Sequence, residues 1–184
     1  MLFIFSCHSQ EDVSSNAPEL TELPAQEGWN STLTTTSQGK FQAVIKFEHM
    51  EKFTKKKVTQ FDQGVEIDFY DDSGAHSSKV YAENATLNDR SKNVELGGRV
   101  EVHGDNGIIL RTEKLLWNEA KGSMSSDEYV TIITAENDSM YGYGFESGQS
   151  LENWTISKPW GASPKKLNTE ALDKTTESNH GSQN

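Results

Sequence analysis

The side chains that most often carry chemistry are few in this sequence and lie far apart. The chain of 184 residues has one cysteine, Cys7, and five histidines at positions 8, 49, 76, 103 and 180. A single cysteine excludes an internal disulfide and a cysteine-rich zinc site. No hydroxyl or thiol stands beside a histidine in a nucleophile motif, and the histidine spacing fits no metal site. We therefore predict a protein that is not an enzyme and that holds no metal or cofactor.

Cys7 stands at the end of a short apolar run, MLFIFSC, which is too short to span a membrane. The run is typical of the end of a secretory signal peptide. Residues Ile4–Cys7 are similar to a bacterial lipobox, in which the cysteine becomes the acylated first residue. We therefore predict that residues 1–7 are a signal-peptide remnant and that a lipid on Cys7 anchors the chain to a membrane. The alternative is an unprocessed start at which the cysteine has no role.

The negative net charge of the chain makes nucleic acids unsuitable partners. Lys and Arg number 17 against 28 Asp and Glu, a net charge of −11, so we expect no binding to the phosphate backbone of nucleic acids. The only basic run is Lys55–Lys57. Two explanations of it stay open: contact with the phosphates of a lipid head group or membrane surface, or a solvated loop that protects a strand edge.

Polar segments at both ends leave a central domain at residues 28–160. Residues 8–27 hold five acidic residues and no Lys or Arg, and so few apolar side chains that burial cannot offset the entropy of ordering. They predict a flexible acidic tether. Residues 161–184 are polar again and predict a disordered tail. The two ends explain a hydrophobic content of 33%, which is low for a globular protein.

Apolar and polar residues alternate along the central domain, as expected of half-buried strands. The alternation is clearest in four runs: Phe41–Phe47, Val65–Phe69, Val100–His103 and Ile108–Arg111. Clusters of turn-forming residues separate such runs at the spacing of an all-β protein, and they include 62–64 and 97–98. Only Glu48–Lys57 departs from the pattern, and a short helix or a long loop is possible there. We predict an all-β domain of antiparallel strands.

An internal repeat of about 30 residues is visible in this domain. Ala82-Glu83 and Thr112-Glu113 lie 30 positions apart, and a third copy starts at Tyr141-Gly142. The same offset aligns Val100 with Val130, and Val102 with Ile132. Stacked units that share one buried seam produce such repeats. Matched positions should therefore face one interior and form a single apolar stripe with Ile67, Phe69, Leu110 and Leu115.

The last strand is predicted near Leu151–Ile156, because the missing N–H of Pro159 cannot extend a β-ladder. A terminal strand exposes an edge that another chain could pair with. The residues assigned to this edge are Leu151, Trp154, Thr155 and Ile156. The opposite rim, near Phe41–Phe47, is the other candidate.

From Tyr81 to Trp160 the sequence resembles the LptC family, the periplasmic component of the lipopolysaccharide export machine. The matching pieces are YAENATLND, LGGRVEVHGDNGIILRTEKLLWNE, YVTII and YGYGFES, and FDQGVEIDFYDDSG also fits the first strands. The resemblance implies a single twisted, open β-jelly-roll with a V-shaped section, whose apolar groove carries the acyl chains of lipid A. The groove residues that we assign on this basis are Ile67, Phe69, Val100, Val102, Leu110, Leu115, Trp117, Val130, Ile132 and Phe145. For Trp117, packing in the core or stacking on a sugar remains an alternative.

The resemblance also implies partners and a location. The partners are lipopolysaccharide, the permease subunits of an inner-membrane ABC transporter, and a periplasmic bridge protein built of β-jelly-rolls. The location is the periplasm of a Gram-negative bacterium, on the inner membrane. Family members often have an N-terminal transmembrane helix, which the lipid on Cys7 would replace here.

A second interpretation stays open: a lipoprotein β-domain that binds carbohydrate or bridges proteins. A lipid-transfer protein must have large apolar side chains in an open groove. A sugar-binding protein instead exposes aromatic residues together with Asp and Asn on a sheet face.

Overall fold

A computed structural model describes residues 23–37 and 39–161, which form one antiparallel sheet of ten strands. The all-β prediction is confirmed. Among the described residues there is no helix with the length and apolar character needed to cross a membrane. The strands are β1 Gln26–Ser37, β2 Lys40–Phe53, β3 Val58–Tyr70, β4 His76–Ala82, β5 Asn84–Asn88, β6 Val94–Gly104, β7 Ile109–Asn118, β8 Ser123–Ile133, β9 Ser139–Gly148 and β10 Trp154–Pro159.

The strands follow one another through the sheet in chain order, with one interruption. The hydrogen-bonded order is β1-β2-β3-β4-β6-β7-β8-β9-β10, and β5 pairs with both β3 and β6. Strands β4 and β5 are therefore two halves of one strand that is broken at Glu83. Within the described residues β1 pairs only with β2, and β10 only with β9, so the sheet has two open edges.

A line of backbone irregularities crosses the whole sheet. Positive φ angles occur on it at Asn30 (46°), Gly64 (119°), Gly98 (69°) and Gly144 (74°). The strand pairing shifts along the same line, between Phe47/His49, Gly97/Val100, Thr112/Leu116 and Ser126/Tyr129. A bulge kinks its strand and increases the twist. Because the bulges are aligned, the sheet bends along them into two leaves.

The two leaves are hereafter the upper leaf, residues 40–47, 65–82, 100–112 and 130–142, and the lower leaf, residues 49–61, 84–97, 115–126 and 145–156. They face each other across the interior, since the ring of Phe69 in the upper leaf lies 4.8 Å from that of Trp117 in the lower leaf. The hairpin turns of each leaf form a lip. The upper lip consists of residues 71–75, 105–108 and 134–138, and the lower lip of residues 54–57, 89–93, 119–122 and 149–153.

Two turn predictions were wrong, for one physical reason. Residues 62–64 and 97–98 lie inside β3 and β6, where they form bulges of the bend. Glycine supplies positive φ in a turn and in a bulge alike, so its presence alone does not distinguish the two. The charged segment Glu48–Lys57 is likewise neither helix nor long loop, because β2 continues to Phe53 and a short turn follows.

The repeat of about 30 residues has a direct structural meaning. Val100 and Val130 are 1% and 0% exposed, and Val102 and Ile132 are both fully buried, so the matched positions face one interior. At the start of each copy, Ala82, Thr112 and Gly142 are also buried. The offset relates strands that are two positions apart in the sheet, such as β6 and β8.

The first strand begins before the predicted domain boundary at residue 28. Strand β1 starts at Gln26, within the segment 8–27 that was predicted to be a tether. Cys7 and the predicted signal-peptide remnant lie outside the described residues, as does the predicted tail beyond Gly161.

Candidate functional site

A cavity of about 690 Å³ lies between the leaves on the side of β1–β3. This volume is within the range of roughly 300–1,000 Å³ that ligand cavities occupy. Its deeper walls are apolar and come from both leaves: Ala43, Ile45, Phe47, Met50, Phe61, Ile67, Phe69, Leu87, Val94 and Trp117. Apolar walls attract a ligand through the hydrophobic effect, which is non-directional, so they can bind acyl chains but cannot orient a reacting group.

Strand β1 forms the outer wall of this cavity. Residues 31–36 line it, and Leu33 among them is 39% exposed. Three consecutive threonines, Thr34–Thr36, favour an extended conformation through their β-branched side chains. Most of β1 is exposed on both faces, because a wall beside an open cavity packs against little. Strand β1 was not predicted from the sequence, since the apolar alternation that marked the other strands is absent from it.

All ten predicted groove residues are buried in one cluster, with exposed fractions of 6% or less. Only three of them, Ile67, Phe69 and Trp117, line the cavity. The other seven pack together in the remaining interior: Val100, Val102, Leu110, Leu115, Val130, Ile132 and Phe145. The predicted stripe is therefore continuous, but its open part is shorter than the sequence suggested. Residues Ala43, Ile45 and Phe61 belong to the open part and were not assigned to it.

The interior closes on the side of β8–β10. The Gln149 side-chain amide donates to Ser77 Oγ at 3.0 Å, and that of Asn106 donates to the Ser150 carbonyl at 3.0 Å. Both hydrogen bonds join the lower lip to the upper leaf. Leu151 follows with 0% exposure and fills the space beneath them. The interior is thus an open cavity on one side and a packed core on the other.

The edge at β10 differs in detail from the prediction. Leu151 lies before the strand, in a turn with φ 57°, and its side chain is buried rather than at the edge. Its placement as an edge residue was therefore wrong. The strand itself runs from Trp154 to Pro159. Pro159 ends it, as expected from its missing N–H.

The direction of the β10 amides follows from one hydrogen bond. Trp160 faces outward and donates its amide N–H to the Tyr141 carbonyl of β9 at 2.7 Å. Residues of one strand that face the same side of the sheet direct their backbone groups to the same neighbour. Outward-facing Thr155 therefore pairs with β9, opposite Glu146. The backbone groups of Trp154 and Ile156, which pack against the core, point to the open edge.

A cluster of polar side chains around His49 joins β1 to the neighbouring strands on the outer surface of the sheet. His49 is 8% exposed and stacks under Trp29, with ring centroids 3.9 Å apart. Burial opposes its protonation. However, hydrogen bonds to Asp62 Oδ1 (2.7 Å) and Glu27 Oε1 (3.0 Å) outweigh it and raise the pKa of His49 above its ordinary value. The imidazolium form therefore joins β1, β2 and β3 through charge-assisted hydrogen bonds.

The same cluster holds the one group of metal-ligand type that the described residues bring together. Ligand atoms of Glu27, His49 and Glu51 lie within 4.8 Å of one another. Both ring nitrogens of His49 are already engaged by carboxylates, so its donor atoms are satisfied without a metal ion. We interpret the group as an ion-pair cluster that holds the edge strand.

A second surface matches the open alternative of a sugar-binding protein. Tyr129, Tyr141 and Tyr143 cluster on the outer face of β8 and β9, with ring centroids 5.4 Å apart for Tyr129–Tyr143 and 6.4 Å for Tyr129–Tyr141. Tyr143 is 51% exposed. Exposed aromatic rings of this kind offer faces on which a sugar ring can stack.

A family model described as "Lipopolysaccharide-assembly, LptC-related" matches residues 7–158, which is most of the chain. A search of curated proteins finds no match.

Proposed function

The chain belongs to the LptC-related family of lipopolysaccharide-assembly proteins, and from this we propose that it binds lipopolysaccharide and transfers it between an inner-membrane ABC transporter and a periplasmic bridge. Members of this family are non-enzymatic transport components of the periplasmic cell envelope and have a role in lipopolysaccharide assembly and transport. The transfer step, the partners and the anchor are the parts that we propose.

The cavity is the observation that carries the proposal. Its apolar walls can take acyl chains, and each buried methylene contributes about 0.8 kcal/mol. Strand β1 is held by the sheet on one side only, so the cavity stays accessible. The packed interior beyond Phe69 and Trp117 would have to open before a lipid could pass from β1 to β10. We propose that a partner at the β10 edge promotes this opening.

The two open edges support the proposed partners. We assign the β1 edge to the permease subunits of the transporter and the β10 edge to the bridge protein. Pairing of a strand at each edge would continue the sheet through all three proteins, because unpaired backbone groups accept a further strand.

The anchor is proposed at Cys7. The lipobox-like Ile4–Cys7 motivates it, and the family match begins at this cysteine. We expect mass spectrometry of the mature protein to find an N-terminal cysteine that carries acyl groups. A mature chain that retains Met1, or a free Cys7 thiol, would contradict the anchor.

The proposed function is tested by filling the cavity. Ala43 lines the cavity and is 8% exposed, so Ala43→Phe places a ring in the space meant for an acyl chain. We expect the affinity of the purified protein for lipopolysaccharide to fall on the order of tenfold, with an unchanged circular-dichroism spectrum; tenfold corresponds to about 1.4 kcal/mol.

Tyr143→Ala is the matched comparison, because it removes an exposed ring from the tyrosine cluster and leaves the cavity intact. We expect it to bind like the parent. If Tyr143→Ala weakens binding and Ala43→Phe does not, the tyrosine cluster is the binding site instead of the cavity, as the sugar-binding alternative predicts.

A further inference from the structure

The two lips of the groove carry opposite charge. The upper lip holds five acidic residues, Asp71, Asp72, Asp105, Glu136 and Asp138, and no Lys or Arg. The lower lip holds six basic residues, Lys55, Lys56, Lys57, Arg90, Lys92 and Lys121, against three acidic ones. The chain as a whole is strongly acidic, with a net charge of −11. A net positive lip in such a protein is therefore a local feature that the overall composition does not explain.

The cations of the lower lip are also unneutralised. All six are exposed, and none forms an ion pair with another residue of the part of the chain that the structure describes. Cations elsewhere on the sheet behave differently: Lys46, Lys79 and Lys114 are each paired with a carboxylate on a neighbouring strand. Unpaired positive charges that lie close together attract anions from solution.

The lower lip reaches the apolar cavity at three charged residues. Lys92 lines the cavity together with two carboxylates of the same lip, Asp89 and Glu119, and Lys52 near the end of β2 adds a second cation. Lys52 is held loosely, 3.7 Å from Asp89 Oδ2. A ligand with its chains against Phe61 and Ile67 would therefore place its head group beside the lower lip. The upper lip reaches the cavity at Asp72 and has more acidic than basic residues; one cation, Lys40, lies beside it and donates to the Asp72 carbonyl at 2.6 Å.

We propose that the lower lip binds the phosphate groups of the lipid whose acyl chains occupy the cavity, and that the charge difference between the lips sets the lipid's orientation. This inference rests on the proposed function, since it concerns the head group of the same ligand. It adds a selectivity that the apolar cavity alone cannot supply, because burial of methylenes does not distinguish a phosphorylated lipid from a neutral one. Exposed lysines act on phosphate as point charges.

The test compares synthetic lipid A with and without its phosphates, each measured by displacement of a fluorescent acyl probe from the purified protein. The lip variant replaces three cations of the lower lip with glutamine: Lys57, Arg90 and Lys92, of which Lys92 lines the cavity. The matched control replaces three outer-surface lysines with glutamine and changes the net charge equally: Lys46, Lys79 and Lys114. We expect the parent and the control to prefer the phosphorylated lipid on the order of tenfold, and the lip variant to lose that preference.

The outcomes separate the inference from the proposed function. Equal affinity of the parent for both lipids overturns the inference and leaves the function standing. Failure of the parent to bind either lipid overturns the function as well. Equal loss of preference in the control variant overturns the role of the lip, because net charge then explains it. Sedimentation with vesicles of anionic phospholipid is the last arm: if the lip variant keeps its lipid preference but loses vesicle binding, the lip contacts a membrane surface instead.

Discussion

At the scale of single residues, His49 shows how a side chain without catalytic duty still responds to pH. It is buried beneath Trp29 and contacts carboxylates from two other strands, Glu27 of β1 and Asp62 of β3, while Glu51 lies beside it on β2. Each carboxylate favours the charged imidazole. The cluster therefore stabilises the attachment of the edge strand β1 most when His49 is protonated.

The pH dependence follows from the sign of this shift. Because the folded-state pKa of His49 is raised, the stabilisation is complete below the unfolded pKa of about 6.5. This stabilisation is lost as the pH rises through the pKa of His49 in the folded protein. We expect His49→Gln to lower the Tm at pH 5.5, and the difference from the parent to shrink by pH 8.5. Thermal melts at both pH values check this, with His103→Gln as the comparison outside the cluster. A difference that grows with pH would contradict the sign.

At the scale of elements, the strands were predictable where one face is apolar, and the bend was not. Alternation in Val65–Phe69 and Val100–His103 marked real strands, because burial of one face imposes a period of two. Strand β1 has two polar faces, so the same signal was absent. Residues 62–64 and 97–98 were assigned to turns, because local sequence does not show whether a glycine reverses the chain or kinks it within a ladder.

The contribution of the β10 edge can be tested with one pair of variants. The amide of Ile156 points to the open edge, so Ile156→Pro removes a donor that a partner strand needs and leaves the β9 ladder intact. Ile156→Ala also removes the contacts of the Ile156 side chain with the core, but it keeps the backbone N–H. We expect Ile156→Pro to weaken capture of the bridge protein in a pull-down by at least about threefold relative to Ile156→Ala, or about 0.65 kcal/mol.

Circular dichroism must show that both variants keep the parent fold. If the two variants capture the bridge protein equally, the β10 edge is not the interface. The opposite edge, formed by β1, would then be the candidate for that partner. Thr155 is unsuitable for the proline substitution, because its backbone pairs with Glu146 of β9.

At the scale of the whole molecule, one sheet bent along a line of bulges produces a groove whose two ends differ. The side of β1–β3 holds the open cavity, and the side of β8–β10 is packed under Leu151 and its neighbouring hydrogen bonds. The repeat predicted one apolar stripe that holds eight residues of the common interior, and Trp117 and Phe145 were assigned from the family resemblance. The sequence did not predict the closure, because Gln149 and Ser77 lie 72 residues apart and no local pattern connects them.

The central claim is that acyl chains of lipopolysaccharide enter the cavity between the leaves. Photo-crosslinking in cells tests it most directly, with benzoylphenylalanine placed at Leu33 or Met50, which line the cavity, and at Tyr143 on the outer surface. We expect a lipopolysaccharide adduct at Leu33 and at Met50 and none at Tyr143. An adduct at Tyr143 with none at either cavity position would contradict it.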